Sequence, residues 1–223
     1  MKIVLATNNA GKIREIKEFL GGFEVVSFAE ILPKIEPEES GESFAQNALI
    51  KARAAHEALA LVERGEFVVL SDDSGISVEA LDFAPGIYSA RFGGVGASDE
   101  QNRVKLIAEL NARGVEQSSA FYTAAIALVG CFGGEAVLGG GEAKPCRRVC
   151  EGVTHGFMHG RVINSQRGTN GFGYDPLFVP NGFSKTLGEL DAAQKESLSH
   201  RTQALRLAKI LLNSWIKSFA TNR

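Results

Sequence analysis

No apolar run in this chain is long enough to cross a bilayer, so it does not read as a transmembrane protein. The opening stretch, Met1 to Ala6, is too short for the apolar region of a signal peptide and reads as a first strand. A charge excess is missing too. With 24 basic and 26 acidic residues the net charge is −2, which excludes the overall basic footprint of a nucleic-acid binder. Cysteine is scarce: Cys131, Cys146 and Cys150 form an odd set without an export signal, expected as reduced thiols in a cytoplasmic protein. Internal repeats and low-complexity segments are absent. The 223 residues, 44% hydrophobic, can bury a sizeable core as one domain, with or without a second lobe. The Walker A phosphate loop is also absent, because Ile13 follows Lys12 where that motif needs Ser or Thr.

What is present alternates strand and helix at both ends of the chain. Ile3 to Ala6 reads as a strand, Thr7 to Lys12 as a polar loop, and Ile13, Ile16, Phe19 and Leu20 as one helix face. A second strand is expected over Phe23 to Phe28 and an acidic, Pro-punctuated loop over Pro33 to Gly41. A helix capped by Ser43 then runs from Phe44 toward Val62, with Gly65 as its stop. Ser98 and Gln101 form a capping box that opens a helix ending at Gly114, its core side expected at Val104, Ile107, Ala108 and Leu110. The middle is β-rich: a strand over Ala120 to Val129, a Gly133-Gly134 hairpin into Ala136 to Leu138, and short strands over 148–153 and 161–163. A short strand over Leu177 to Val179 precedes a last helix over Ser199 to Phe219. The expected class is α/β, an elongated mixed central sheet with helices packed about it, in two lobes.

Five residues, Ser71-Asp72-Asp73-Ser74-Gly75, follow the apolar run Phe67 to Leu70. Adjacent carboxylates at the mouth of a buried strand are costly unless a cation or donor partners them, and strand ends are where open α/β sheets place ligands. Gly75 is expected to permit a sharp change of direction there. Hard oxygen ligands suit Mg²⁺ beside a phosphate, whereas the bland reading is a solvated Asp-Asp-Ser-Gly turn. Upstream, the free amides of a helix's first turn attract anions, and Lys12 adds a full charge. Asn47 and Lys51 lie four apart, so they share a helix face that can look back at the Glu39 loop.

Downstream, Gly168 to Pro176 is dense in glycine, with Phe172 as a stacking face and Asp175 as an acceptor. Lys195 and Ser199-His200-Arg201 sit near the entry of the last helix, where cations are electrostatically misplaced unless they have a task. Cys146, Cys150, His155 and His159 have zinc-type donors. Only four residues part Cys150 from His155, against roughly a dozen in a finger, so no structural zinc is expected.

Taken together these segments resemble the inosine triphosphate pyrophosphatase family, the non-canonical purine nucleoside triphosphate pyrophosphatases. The likeness runs through Thr7-Asn8-Asn9-Ala10-Gly11-Lys12, Glu39-Ser40-Gly41, Asn47 with Lys51, and Ser71 to Gly75. It continues through Pro85 to Arg91, Gly171-Phe172-Gly173-Tyr174-Asp175-Pro176, Lys195 and Ser199-His200-Arg201, and departs around Gly130 to Lys144, where this chain is longer. The resemblance implies a single domain over 1–223 whose two lobes enclose a nucleotide cleft. It implies Mg²⁺-dependent hydrolysis of ITP, dITP and XTP to monophosphate and pyrophosphate by a cytoplasmic homodimer that binds neither nucleic acid nor membrane. By the same carry-over, Thr7, Asn8, Asn9, Ala10, Gly11, Lys12, Lys51 and Ser74 would hold the triphosphate, and Glu39 and Asp73 would bind Mg²⁺. Phe172 would stack on the base, and Gly173, Tyr174, Asp175, Lys195, His200 and Arg201 would line the base and sugar pocket. Asp73, Asp72 and Lys12 would carry the catalysis, with the choice of general base between the two aspartates left open. Two alternatives share parts of this pattern: a pyrophosphatase for modified pyrimidine nucleotides, and a non-catalytic nucleotide sensor.

Overall fold

Ile3, Val4 and Leu5 are fully buried in strand β1 (Lys2–Leu5), as a continuous apolar run demands. The computed structural model describes residues 1–33, 35, 37–63, 65–132 and 148–220. After β1 come helix α1 (Ala10–Phe19), strand β2 (Glu24–Ser27), helix α2 (Phe44–Ala60) and strand β3 (Phe67–Val78). A 3₁₀ helix at Gly86–Arg91 leads to helix α3 (Asp99–Ala112), then to strands β4 (Gln117–Phe132) and β5 (Arg148–Ile163). Strand β6 (Phe178–Pro180) and helices α4 (Ala192–Leu198) and α5 (His200–Ala220) follow. The strands form one sheet in the order β2-β1-β3-β4-β5-β6. It is mixed, as expected: β1 runs parallel to β2 and β3, and β5 antiparallel to β6.

The connections at the start of the chain decide where chemistry can sit. The chain steps from β1 outward to β2 through α1, then back past β1 to β3 through α2. Right-handed crossovers in opposite directions place α1 and α2 on opposite faces of the sheet, and the reversal between β1 and β3 is a topological switch point. In register, Leu5 pairs with Leu70, and the Ala6 amide donates to the Leu70 carbonyl. There β1 ends while β3 continues.

The described chain divides into two compact units. The first, Met1–Asp73, Ala125–Thr154 and Ala204–Arg223, packs Ala48, Ala52, Ala55 and Leu59 of α2 against Val4, Phe67, Val69 and Ala127. The second, Ser74–Ala124 and His155–Gln203, has its own core around Ile76, Leu106, Leu110, Tyr122, Leu177 and Phe178.

Several expectations are corrected. β3 does not turn at Gly75 but runs on to Val78. Gly75 is needed for closeness rather than for a bend, because a Cβ there would collide with Ser89 Oγ and the Gly86 carbonyl. The carboxylates are no solvated turn either: Asp72 is 1% and Asp73 7% exposed. The two short strands expected over 148–153 and 161–163 are one strand. Exposure alternates from His155 to His159, the signature of a half-buried strand despite its glycines and histidines. On α3 the buried positions are Asn102, Leu106 and Leu110, whereas Val104 faces solvent. Helix α2 stops at Ala60, leaving Leu61 and Val62 exposed. Cys131, expected as a reduced thiol, is disulfide-bonded within a buried environment, while Cys150 on β5 is free. Cys146 and the Gly133 to Leu138 hairpin lie outside the described residues.

Candidate active site

In the first unit, the residues just beyond the end of β1 form two charged clusters, one on each face of β3. Side chains alternate along a strand. Ser71 and Asp73 therefore point to α2, Ser71 donating to the Ala48 carbonyl, and Asp72 points to α1. On the α1 face, Asn9 caps the helix by accepting from the Lys12 amide (3.1 Å), and the Asn9 amide donates to Thr7 Oγ1 (3.3 Å). Lys12 Nζ then lies 2.5 Å from Asp72 Oδ1. Asn8, Asn9 and Ala10 are exposed, and Gly11 is half-buried. An exposed helix N-terminus with a tethered lysine is suited to holding phosphate oxygens.

On the α2 face, Lys51 Nζ donates to Asp73 Oδ1 (2.7 Å) and to Glu39 Oε1 (3.0 Å). The loop carrying Glu39 is tied back by Asn47 one turn earlier on α2, whose Oδ1 accepts from the Gly41 amide (2.9 Å). A Cβ on Gly41 would lie 2.6 Å from that oxygen, so only glycine fits. Burial works against the Lys51 ammonium, but Asp73 and Glu39 together outweigh it and raise its pKa. Burial also raises the Asp73 carboxyl, and Lys51 only partly offsets this. Asp73 Oδ2 is buried without a hydrogen-bond partner among the described residues. An orphaned carboxylate oxygen beside a second carboxylate fits a hard cation such as Mg²⁺. Among the described residues no group of three or more His, Cys, Asp or Glu side chains could hold a metal. Mg²⁺ here would complete its shell with water and substrate phosphate, as it commonly does.

The second unit brings together the downstream motifs. Arg201, only 3% exposed, donates from Nη2 to Ser74 Oγ on β3 (3.0 Å). Ser199 caps α5 by accepting from the Thr202 amide (3.2 Å), yet His200 and Arg201 are buried rather than exposed in its first turn. His200 stacks on Tyr122 at 4.8 Å and 15° between rings. The Tyr122 hydroxyl is buried without a partner among the described residues, and burial pushes its pKa well up, so it stays neutral. Asp175 is turned inward, where it accepts from the Phe172 amide (3.0 Å) and from Lys195 on α4 (2.7 Å). Gly171 has a positive φ of 82°, and a side chain there would strike the Asp175 carboxylate. Over the Phe172 ring lie Lys195 Nζ at 4.8 Å and the Arg201 guanidinium at 5.6 Å.

Sequence reasoning passed over some residues here. Helix α4, which carries Lys195, was not expected, although Asp191 and Gln194 form a legible capping box. Asp99 and Arg103 of α3, which no sequence motif singles out, both bond to Gly173. Only tertiary structure reveals that pairing, because seventy or more residues of chain separate the partners.

A model of the Ham1 family matches residues 3–210. The chain is 50% identical over 220 residues to the dITP/XTP pyrophosphatase of Campylobacter fetus, covering 98% of this chain and 100% of that one. It is 50% identical over 214 residues to the dITP/XTP pyrophosphatase of Nautilia profundicola, covering 96% and 98%. Among solved structures, the Ham1 protein of Staphylococcus aureus is 33% identical, with a TM-score of 0.76 over 96% of this chain and 99% of that one. A nucleoside-triphosphatase / dITP/XTP pyrophosphatase from Mycobacterium abscessus is 34% identical, with a TM-score of 0.68 over 95% and 99%.

Proposed function

The chain belongs to the Ham1 family and is a nucleoside triphosphate pyrophosphatase of non-canonical purine nucleotides; we propose that it cleaves ITP, dITP and XTP with Mg²⁺. The reading rests chiefly on the 50% identity, over nearly its whole length, to dITP/XTP pyrophosphatases. Thr7 to Lys12, Lys51 and Ser74 bind the triphosphate, and Glu39 with Asp73 holds the cation. The open oxygen of Asp73 supports that role. When bound, Mg²⁺ supplies positive charge to the phosphate oxygens.

The chain's own residues do the rest. Lys12 and Lys51 neutralise charge that builds on the phosphate oxygens as water attacks the α-phosphorus and pyrophosphate departs. One of the two carboxylates, Asp73 or Asp72, orients that water and accepts its proton; each is tied to a lysine, Asp73 to Lys51 and Asp72 to Lys12. Phe172 stacks on the base; His200, Arg201, Lys195, Asp175, Gly173 and Tyr174 shape its pocket and that of the sugar. Hypoxanthine and xanthine present a 6-oxo acceptor to Arg201, whereas adenine presents a donor. Assay of ITP, dITP, XTP, GTP, ATP and modified pyrimidine triphosphates for pyrophosphate and orthophosphate tests this. The expected result is pyrophosphate release from the first three, abolished by EDTA. Orthophosphate release, or preference for ATP, overturns it.

We propose further that the protein is a cytoplasmic homodimer. No helix among the described residues is long and apolar enough to cross a membrane. Fractionation with thiol labelling decides the location, and sedimentation the oligomeric state.

A further inference from the structure

Gly173 follows the proposed stacking residue, Phe172, and both polar groups of its backbone are gripped by one helix. Its amide donates to Asp99 Oδ2 (2.7 Å), and its carbonyl accepts from Arg103 Nη1 (2.7 Å). Asp99 and Arg103 are one turn apart on α3, so their side chains share a face. Arg103 is itself braced: Nε donates to Gln166 Oε1 (2.8 Å), Nη2 donates to Glu100 Oε2 (2.5 Å), and Gln166 donates to the other Glu100 oxygen (2.9 Å). Its side chain is only 14% exposed. On the far side of the loop, the Tyr174 hydroxyl donates to the Ser89 carbonyl (2.8 Å).

None of this is needed to start α3, which Ser98 and Gln101 already cap reciprocally. Nor does a half-buried glycine peptide need two charged side chains, since neutral groups or water would satisfy it. A charged acceptor on its N–H and a charged donor on its C=O instead fix the plane of one peptide. Gly173 holds a positive φ of 59° with nothing within 4 Å of a would-be Cβ, so glycine serves conformation there, not space. With the Phe172 amide held by Asp175, the backbone on both sides of the aromatic side chain is set before any ligand arrives.

We infer that Asp99 and Arg103 are positioning residues that pre-set the Phe172 ring for base stacking. The inference rests on the reading that Phe172 stacks on the base. Loss of preorganisation weakens ground-state and transition-state binding alike, so it appears in KM more than in kcat.

The test is a double-mutant cycle on ITP hydrolysis with Asp99→Ala, Arg103→Ala, Arg103→Lys and Phe172→Ala. Arg103→Ala and Asp99→Ala are expected to raise KM about tenfold, the order for losing a charge-assisted hydrogen bond, with kcat kept within about twofold. Arg103→Lys, which can still donate to the carbonyl, should recover part of the loss. In the Phe172→Ala background, Arg103→Ala should add nothing further. If Phe172→Ala raises KM but Arg103→Ala does not, or if Arg103→Ala costs the same in both backgrounds, the clamp is refuted and stacking survives. If Phe172→Ala leaves KM unchanged, stacking itself is wrong and the inference falls with it.

Discussion

Lys51→Met removes the only cation described between Asp73 and Glu39, and its cost can be worked from the structure. Lys51 Nζ lies 2.7 Å from Asp73 and 3.0 Å from Glu39, with side-chain exposures of 17%, 11% and 24%. Those exposures place the cluster nearer the buried regime than the surface one, where ion pairs contribute less than about 1 kcal/mol. Deleting one partner of a buried pair costs about 3–5 kcal/mol, because the charge left behind has none. Here Asp73 loses the donor on Oδ1, while its Oδ2 is already without a hydrogen-bond partner among the described residues. In a chain of this size each kcal/mol moves the melting temperature roughly 2–4 °C, so the drop in EDTA should be about 6–20 °C. The sole tryptophan, Trp215, packs edge-on against Phe132 in the same unit and reports the melt by fluorescence. Divalent cation should then restore much of the loss, since a ligand at a hundred times its Kd stabilises the native state by about 2.7 kcal/mol. Activity should not return with it, because Lys51 also serves the phosphates. A Lys51→Met protein that melts within about 2 °C of the wild type in EDTA, indifferent to Mg²⁺, would refute the buried-cluster account.

Asp73→Asn keeps the shape of the site but weakens its hold on the cation, and should lower turnover at least ~100-fold with folding retained. A folded Asp73→Asn enzyme with near-normal turnover would remove Asp73 from the chemistry. Arg201→Ala should lower kcat/KM for ITP far more than for ATP, since only the 6-oxo base gains from its donors. An unchanged ITP-to-ATP ratio would mean that Arg201 does not read the base. Gly75→Ala drives a Cβ into Ser89 Oγ and the Gly86 carbonyl, and should cost about 1–3 kcal/mol in urea unfolding. An unshifted midpoint would show that β3 has room there.

Much of this architecture is legible from local signals because local chemistry produces it. Ser43 and Ser98 cap their helices as the sequence predicts, since a cap needs only a side-chain oxygen and the next turn's amide. Strand ends were harder to place. Gly75 and the His- and Gly-rich stretch of β5 look like breaks, but partners elsewhere in the chain hold both segments extended. The site was legible as an inventory and not as an arrangement. Ser71 to Gly75 reads as one motif, yet strand alternation assigns Asp72 to Lys12 and Asp73 to Lys51. The burial of His200 and Arg201 depends on Tyr122, Ser74 and Phe172, far away in sequence, so the first turn of α5 alone does not announce it.

The division of Asp72 and Asp73 between opposite faces of β3 makes the length of this segment matter more than its spelling. The ladder that pairs Lys2 with Phe67 and Leu5 with Leu70 works as a ruler counting residues up to the carboxylates. Deleting one residue between Phe67 and Ser71 would turn each following side chain to the other face, bringing a carboxylate to α2 one rung early and leaving Ser74 at the rung Asp73 had occupied. Val68 and Val69 can be exchanged for other aliphatic residues of similar volume at modest cost, because they fill space without keeping count. A lineage carrying this enzyme can therefore drift in composition along the strand, but it gains or loses a residue there only by giving up the chemistry.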